Sequence, residues 1–197
     1  MKITILGGGN IGTLLLGDIG SRGIASLRLL TSKPEQWSQN IEVYDKEDNL
    51  QYSGYIDRIS NRPEEVVKDA DLIISTVPSH IFPQIIEEIK PYIKPGTWLG
   101  VMPGSGGSEF ICQSLIVQGC ILFGFQRVHG IARIKEYGKS VYDLGKRTEL
   151  HIATVPAQKT EEICGCLSNL LKIKCRNLTN YLNVTLTPSN PILHTTR

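Results

Sequence analysis

Short apolar runs alternate along this chain with longer stretches whose apolar residues recur at helical spacing. The first run, Ile3 to Leu6, leads through a glycine turn into a helical stretch over residues 10–22. Further short apolar runs lie at 27–31, 71–77, 97–102 and 120–126. Strands that are apolar along their whole length are typical of a sheet that helices cover on both faces. The pattern therefore predicts an α/β fold of the Rossmann type, with a doubly wound, mainly parallel sheet and right-handed crossovers.

Residues 41–60 interrupt this alternation. Two short alternating runs flank the polar turn Lys46–Asn49, which predicts a β-hairpin inserted into the Rossmann pattern. The remaining segments predict a short helix within 62–71, helices within 79–96, 108–118 and 158–172, a pair of strands within 140–157 and a strand at 172–179.

Composition narrows the class of protein. The chain has 197 residues, 41% of them hydrophobic and 20% charged, which is typical of a globular domain. A net charge of +2 gives no electrostatic footprint for nucleic acid. We expect no membrane partner either, because no run reaches the roughly 20 apolar residues that a membrane helix needs.

The cysteines and the amino terminus indicate a compartment. Five cysteines are an odd number, and none of them has the spacing of a metal knuckle, so we expect reduced thiols and no metal site. Met1 and Lys2 run directly into the first strand without the pattern of a signal peptide. Together these features predict a cytoplasmic protein.

A glycine turn follows the first strand. The six residues Gly7-Gly8-Gly9-Asn10-Ile11-Gly12 fit the pattern G-x-G-x-x-G. In such a turn Gly7 permits the tight bend, Gly9 lets the backbone approach a pyrophosphate, and Gly12 allows close packing of helix on strand. Free N–H groups at the helix start, from Asn10 and Ile11 onward, then face the phosphates. Because the turn lies between a strand and a helix, the motif predicts a dinucleotide site.

The end of the second strand bears on which dinucleotide is bound. Sites for NAD place a carboxylate there to hold the ribose 2′-hydroxyl. This sequence has Thr31, Ser32 and Lys33, whose hydroxyls and ammonium suit a 2′-phosphate. We therefore predict NADP, with NAD left open because Glu35 lies nearby.

Two further loops follow apolar strands and should meet the cofactor at the same edge of the sheet. Thr76, Val77 and Pro78 are expected to border its ribose and nicotinamide half, and Pro103 in the glycine-rich loop to approach the nicotinamide. The competing interpretation is that each loop is an ordinary connection between a strand and a helix.

The chain ends shortly after a candidate helix start. Asn190 is suited to cap a helix, Pro191 to begin it, and His194 comes near the end of its first turn. A histidine there could bind a substrate carboxylate or transfer a proton, although a lone histidine is more often structural.

The segment TLTPSNPILHTTR resembles the N-P-x-x-H segment of the octopine/nopaline (opine) dehydrogenase family. The stretches ILGGGNIG, ADLIISTVPSH, YIKPGTWLGVMPGSGG and LHIATVPA resemble that family in the same order. The resemblance implies an NAD(P)-dependent oxidoreductase that joins an amino acid to a 2-oxo acid by hydride transfer. It further implies that His194 is the catalytic acid/base and that Asn190 shapes the substrate site.

The same resemblance implies that a second, helical domain is absent. We expect residues 1–187 to form the dinucleotide-binding domain and residues 188–197 to begin a truncated catalytic domain. The family's carboxylate partner of His194 would lie in the absent part, so the chain is expected to bind cofactor with little turnover.

Three alternatives remain open. The chain could be a non-catalytic dinucleotide-binding regulatory module, or a reductase of 2-oxo acids resembling ketopantoate reductase. Those reductases usually rely on a lysine where this sequence has His194. A homodimer is also left open by the sequence.

Overall fold

The computed structural model describes residues 1–104 and 106–186, which form two sheets and seven α-helices. The strands are β1 (Lys2–Leu6), β2 (Ser26–Leu30), β3 (Asn40–Tyr44), β4 (Leu50–Tyr55), β5 (Arg58–Ser60), β6 (Leu72–Ser75), β7 (Trp98–Val101), β8 (Ile121–Phe125), β9 (Gly130–Glu136), β10 (Ser140–Lys146), β11 (Glu149–Val155) and β12 (Lys174–Asn177). The helices are α1 (Asn10–Gly20), α2 (Pro63–Val66), α3 (Phe82–Ile89), α4 (Ser108–Ile111), α5 (Gln113–Val117), α6 (Thr160–Leu171) and α7 (Leu182–Thr185).

The main sheet has eight strands in the order β12-β11-β8-β7-β6-β1-β2-β5. All neighbouring pairs are parallel except β8 and β11. The chain moves outward from β1 to β2 and β5, then returns to β6 on the other side of β1 and continues to β8. That order is the one found in dinucleotide-binding sheets, and its direction reverses between β1 and β6. The predicted Rossmann-type sheet is confirmed.

Helices cover both faces of this sheet. One apolar cluster joins α1 and α6 to the sheet through residues such as Leu15, Ile19 and Leu167. A second cluster joins the shorter helices to the opposite face through residues such as Val66, Phe82 and Leu115. None of the helices in the described part of the chain is long and apolar enough to cross a membrane.

A second sheet of four strands, in the order β4-β3-β10-β9, lies over the outer side of α1. It joins the predicted hairpin, β3 and β4, to a hairpin from much later in the chain. Close approach to the helix depends on glycine on both partners. A Cβ on Gly54 would lie 2.4 Å from the carbonyl oxygen of Gly17, and a Cβ on Gly17 would lie 2.4 Å from Cγ2 of Val43 in β3. The helix is thereby buried on two sides, between the main sheet and the small one.

Three predictions about elements need correction. The pair of strands within 140–157 is wrong as a pair, since β10 belongs to the small sheet and β11 to the main sheet. The single helix over 108–118 is two short helices, with Cys112 between them. The first helix ends at Gly20, before the expected end at residue 22, and the Arg22 guanidinium donates to the carbonyl oxygens of Leu170 and Leu171 at the end of α6.

Candidate cofactor site

A cavity of about 660 Å³ opens at the carboxyl ends of β1, β2 and β6. This is the edge at which the strand order reverses, where doubly wound sheets bind their ligands. The lining residues are Leu6, Gly7, Gly8, Gly9, Leu30, Thr31, Ser32, Asn61, Thr76, Val77, Pro78, Ile81, Ile85, Glu88, Ile134 and Tyr137.

The three glycines of the motif have different physical roles. Gly7 adopts a φ of +95° and donates its N–H to the carbonyl oxygen of Leu30 at 3.1 Å. A Cβ on Gly12 would lie 2.1 Å from the Gly7 carbonyl oxygen, so only glycine lets the helix pack this closely on the turn. A Cβ on Gly9 would meet no atom within 4 Å. Packing within the protein therefore does not explain why position 9 is glycine, but the need to leave space for a ligand does.

Helix α1 begins directly after Gly9, and no side chain caps its first turn. Its first N–H groups are therefore available to an anion, as the motif predicts. The side chain of Asn10 is engaged elsewhere, because its Oδ1 accepts the Ile134 N–H at 2.7 Å. Ile11 packs against the apolar cluster under the main sheet. Neither Asn10 nor Ile11 is among the residues that line the cavity.

At the end of β2, Thr31 and Ser32 line the cavity, as expected. Lys33 is exposed just outside the wall and forms no ion pair within the described residues. Glu35 is also exposed and does not line the cavity. The β2 side of the cavity accordingly carries no carboxylate, and the acidic side chain on its rim is Glu88 of α3.

The loop after β6 meets the glycine turn directly. The Thr76 hydroxyl lies 3.1 Å from the carbonyl oxygen of Leu6 and 3.2 Å from that of Gly7, to which it can donate. Val77 and Pro78 complete this part of the wall. Pro103 is exposed and does not line the cavity, while Asn190 and His194 lie outside the described residues.

Several lining residues were not anticipated. Asn61 follows β5, while Ile81 and Ile85 lie at the start of α3 and within it. Ile134 and Tyr137 come from the small sheet. No local pattern marks Ile134 or Tyr137 as a cavity residue, because the pairing of β10 with the distant strand β3 brings the hairpin that carries them to the cavity.

A buried ionic cluster lies between the second half of α1 and the small sheet. Asp18 is 1% exposed, and its carboxylate has Lys146 Nζ at 2.7 Å and His129 Nε2 at 3.3 Å. The Tyr52 hydroxyl donates to the same carboxylate. His129 is fully buried, although its sequence context gave no indication of a partner.

Burial by itself would raise the pKa of Asp18, since it disfavours the charged form. Contact with His129 and the hydrogen bonds from Lys146 and Tyr52 outweigh burial and lower the pKa of this carboxyl. Burial, followed by the charge of Asp18, raises the pKa of Tyr52. The cluster therefore holds a carboxylate next to a neutral phenol, and both tie the small sheet to α1.

The residues at the cavity fit a nicotinamide dinucleotide. The open space at Gly9 and the uncapped start of α1 suit a pyrophosphate, and the polar end of β2 suits the adenosine ribose. No cluster of three or more metal-ligating side chains occurs within residues 1–104 and 106–186. All five cysteines carry free thiols.

Comparison with known proteins agrees with this assignment. A family model described as the N-terminus of NAD-dependent glycerol-3-phosphate dehydrogenase matches residues 2–103. Tauropine dehydrogenase of Arabella iricolor is 28% identical over 98% of this chain and 53% of its own. Opine dehydrogenase of Haliotis discus hannai is 30% identical over 76% of this chain and 42% of its own. A solved octopine dehydrogenase with NADH and L-arginine aligns with a TM-score of 0.85 at 24% identity, over 98% of this chain and 52% of its own.

The fold and the cavity define the dinucleotide-binding domain of an oxidoreductase. The chain belongs to the family of the NAD-dependent glycerol-3-phosphate dehydrogenase N-terminus and corresponds to an amino-terminal portion of the opine dehydrogenases. It spans about half the length of the curated relatives it matches. The family resemblance drawn from the motifs is confirmed.

Proposed function

We propose that this chain is the cofactor-binding part of an opine-dehydrogenase-like enzyme, which reductively joins the amino group of an amino acid to a 2-oxo acid. The observation that carries the proposal is the glycine-walled cavity at the reversal point of the sheet, with free space at Gly9. When bound, nicotinamide supplies the hydride. The residues of this chain bind the cofactor and orient it.

NADP is the proposed preferred cofactor. Thr31 and Ser32 offer two hydroxyls inside the cavity, and the exposed Lys33 ammonium can reach a 2′-phosphate at its rim. No carboxylate lines this side, where one would repel that phosphate. The solved octopine dehydrogenase is described with NADH, so the preference proposed here rests on the β2 end of this chain alone.

The catalytic role is proposed for His194, with Asn190 at the substrate site. Both residues fall in the N-P-x-x-H segment, after the proposed domain boundary at residue 187. The fold by itself does not separate opine dehydrogenases from ketopantoate reductases. The difference between these activities rests on His194, where the reductases usually have a lysine.

Titration of the 197-residue chain with NADPH and with NADH tests the cofactor assignment. We expect both to bind, NADPH about tenfold more tightly, because one charge-assisted contact is worth roughly 1.5 kcal/mol. Lys33→Ala should weaken NADPH and leave NADH unchanged. Lys68→Ala, which removes an exposed lysine between α2 and β6, is the matched control.

Equal affinities for the two cofactors in the wild-type chain would refute the NADP preference. Failure to bind either cofactor would refute the dinucleotide site itself. The same preparation, supplied with NADPH, amino acids and 2-oxo acids, is expected to show little oxidation of the cofactor. Rapid condensation would contradict the assignment of the chain as the cofactor-binding part alone.

A further inference from the structure

Two aromatic residues from distant segments meet beside the glycine turn. Trp37 follows the short helical turn after β2, and Tyr137 lies in the turn between β9 and β10. Their rings form an edge-to-face pair with centroids 5.6 Å apart and an interplanar angle of 71°. Tyr137 is 40% exposed and lines the cavity, whereas Trp37 is 9% exposed and lies behind it.

Trp37 is fixed against the glycine turn itself. A Cβ on Gly8 would lie 2.0 Å from Cζ2 of the indole, so the ring packs directly on the backbone of the turn. The indole Nε1 is buried and has no hydrogen-bond partner within the described residues. Its N–H therefore contributes no bond that would fix the ring, and packing on Gly8 and Tyr137 determines where Trp37 lies.

The turn that carries Tyr137 is fastened to the segment that carries Trp37. Ser38 donates its N–H to the carbonyl oxygen of Gly138 at 2.8 Å. A Cβ on Gly138, whose φ is +72°, would lie 2.1 Å from the carbonyl oxygen of Gln36. These contacts fix the backbone of the turn beside Trp37, and the Tyr137 ring packs on the indole at the cavity wall.

We propose that Tyr137 is a cofactor-contacting residue at the phosphate end of the cavity, and that Trp37 is the positioning residue that holds it there. The Tyr137 hydroxyl has no hydrogen-bond partner within the described residues, so it is free to donate to a pyrophosphate oxygen. The small sheet thereby contributes directly to the site that the main sheet forms. This inference rests on the proposed dinucleotide binding and assigns one specific contact within it.

Binding of ADP-ribose, NADPH and NADH to the 197-residue chain tests the contact. Tyr137→Phe keeps the ring and removes the hydroxyl, and we expect about tenfold weaker binding of all three ligands. Tyr137→Ala should weaken binding further. Tyr55→Phe, at a comparably exposed tyrosine of β4 outside the cavity, should change nothing. Melting without ligand should be unchanged in Tyr137→Phe, because the lost hydroxyl has no protein partner.

Tryptophan fluorescence gives an independent readout. Trp98→Phe removes the other indole, which lies at the start of β7, at the opposite edge of the sheet. In that background ADP-ribose should change the emission of Trp37, and this ligand lacks the nicotinamide chromophore that would interfere. The emission change at saturating ADP-ribose should be smaller in Tyr137→Ala. Trp37→Phe should weaken binding less than Tyr137→Ala, because a ring still supports Tyr137.

The outcomes separate this inference from the proposed function. If the wild-type chain binds none of the three ligands, both the dinucleotide site and the proposed Tyr137 contact are refuted. If the wild type binds and both Tyr137 variants bind equally well, the contact alone is overturned. Weaker binding matched by an equal loss of thermal stability without ligand would assign Tyr137 a structural role and also overturn it.

Discussion

At the scale of single residues, the glycine motif combines positions that the fold requires with one that it does not. Gly12 cannot accept a Cβ because the carbonyl oxygen of Gly7 occupies that space. Gly9 faces open space and has a φ of −79°, which any residue adopts. The sequence pattern assigns Gly9 to the pyrophosphate and Gly12 to close packing. The structure shows open space at the first position and a backbone carbonyl oxygen against the second.

Gly9→Ala should therefore fold normally and bind cofactor poorly. The added methyl group meets no protein atom, and we expect the free energy of unfolding to change by about 1 kcal/mol or less. The same methyl group takes space needed by the pyrophosphate, so the affinity for NADPH should fall by about tenfold or more. Thermal melting and calorimetric titration measure the two effects.

Gly12→Ala is the matched comparison, because the same methyl group is added within the same turn. Here we expect a loss of about 2 kcal/mol or more in unfolding free energy, since backbone must move to accommodate it. If Gly9→Ala proved as destabilising as Gly12→Ala, the space at Gly9 would not be free for a ligand.

Other residue assignments needed the structure. Asn10 lies within the predicted motif, yet its side chain binds the Ile134 N–H instead of facing the cavity. Tyr137 lines the cavity, yet nothing adjacent to it in sequence marks it as a ligand contact. In both cases a strand far along the chain determines what the side chain touches.

At the scale of elements, α1 is the helix on which both sheets converge. Leu14, Leu15 and Leu16 are consecutive and fully buried, which requires cover on more than one side of the helix. The inserted hairpin could be predicted from its alternation and its polar turn. Its partners could not, because β3 pairs in parallel with β10, and such a long-range pairing has no local signal.

The buried carboxylate of Asp18 should be a main contributor to the contact between α1 and the small sheet. Asp18→Asn keeps the shape of the side chain but leaves Lys146 and His129 without their anion. We expect a loss of about 3 kcal/mol in unfolding free energy at neutral pH. Asp143→Asn is the control, since Asp143 lies 3.7 Å from the same lysine, and its loss should cost less than about 1 kcal/mol.

The effect of Asp18 should also depend on pH. Its pKa is lowered in the folded protein, so the ionised carboxyl stabilises the fold above its ordinary pKa, and this stabilisation is lost as the pH falls through the lowered value. The stability difference between wild type and Asp18→Asn should therefore shrink on acidification. Denaturant unfolding at neutral and acidic pH measures this difference, and one that grew on acidification would contradict the role of the ionised carboxylate.

At the scale of the whole molecule, the order of apolar runs and helices was enough to predict a doubly wound sheet. The order of the strands around β1 then places the cavity beside the glycine turn. The small sheet over α1 was predicted only in part. The hairpin of β3 and β4 was expected, and β10 was expected as a strand but with β11 as its partner. β9 was not expected, because few of its residues are buried and its apolar pattern is short.

We propose that cofactor binding and catalysis belong to different parts of a longer opine-dehydrogenase-like protein, and this gives one further prediction. In a form of this protein that carries the proposed catalytic domain, His194→Ala should bind NADPH like the wild type, because the cavity lies among residues 6–137. Turnover should fall by about a hundredfold or more, since general acid–base catalysis contributes at least that factor. A variant that loses cofactor binding as well would assign His194 a structural role.

The contact between Leu14 and Gly130 has a consequence for the order in which the protein can be made. A Cβ on Gly130 would lie 3.1 Å from Leu14, so β9 covers a side chain that emerges from the ribosome long before it. Until residues 130–146 have been synthesised, the part of α1 that β9 and β10 cover stays exposed and the Asn10 side chain lacks its Ile134 partner. The glycine turn is thus among the first parts of the nascent chain to be translated and among the last to acquire its full support.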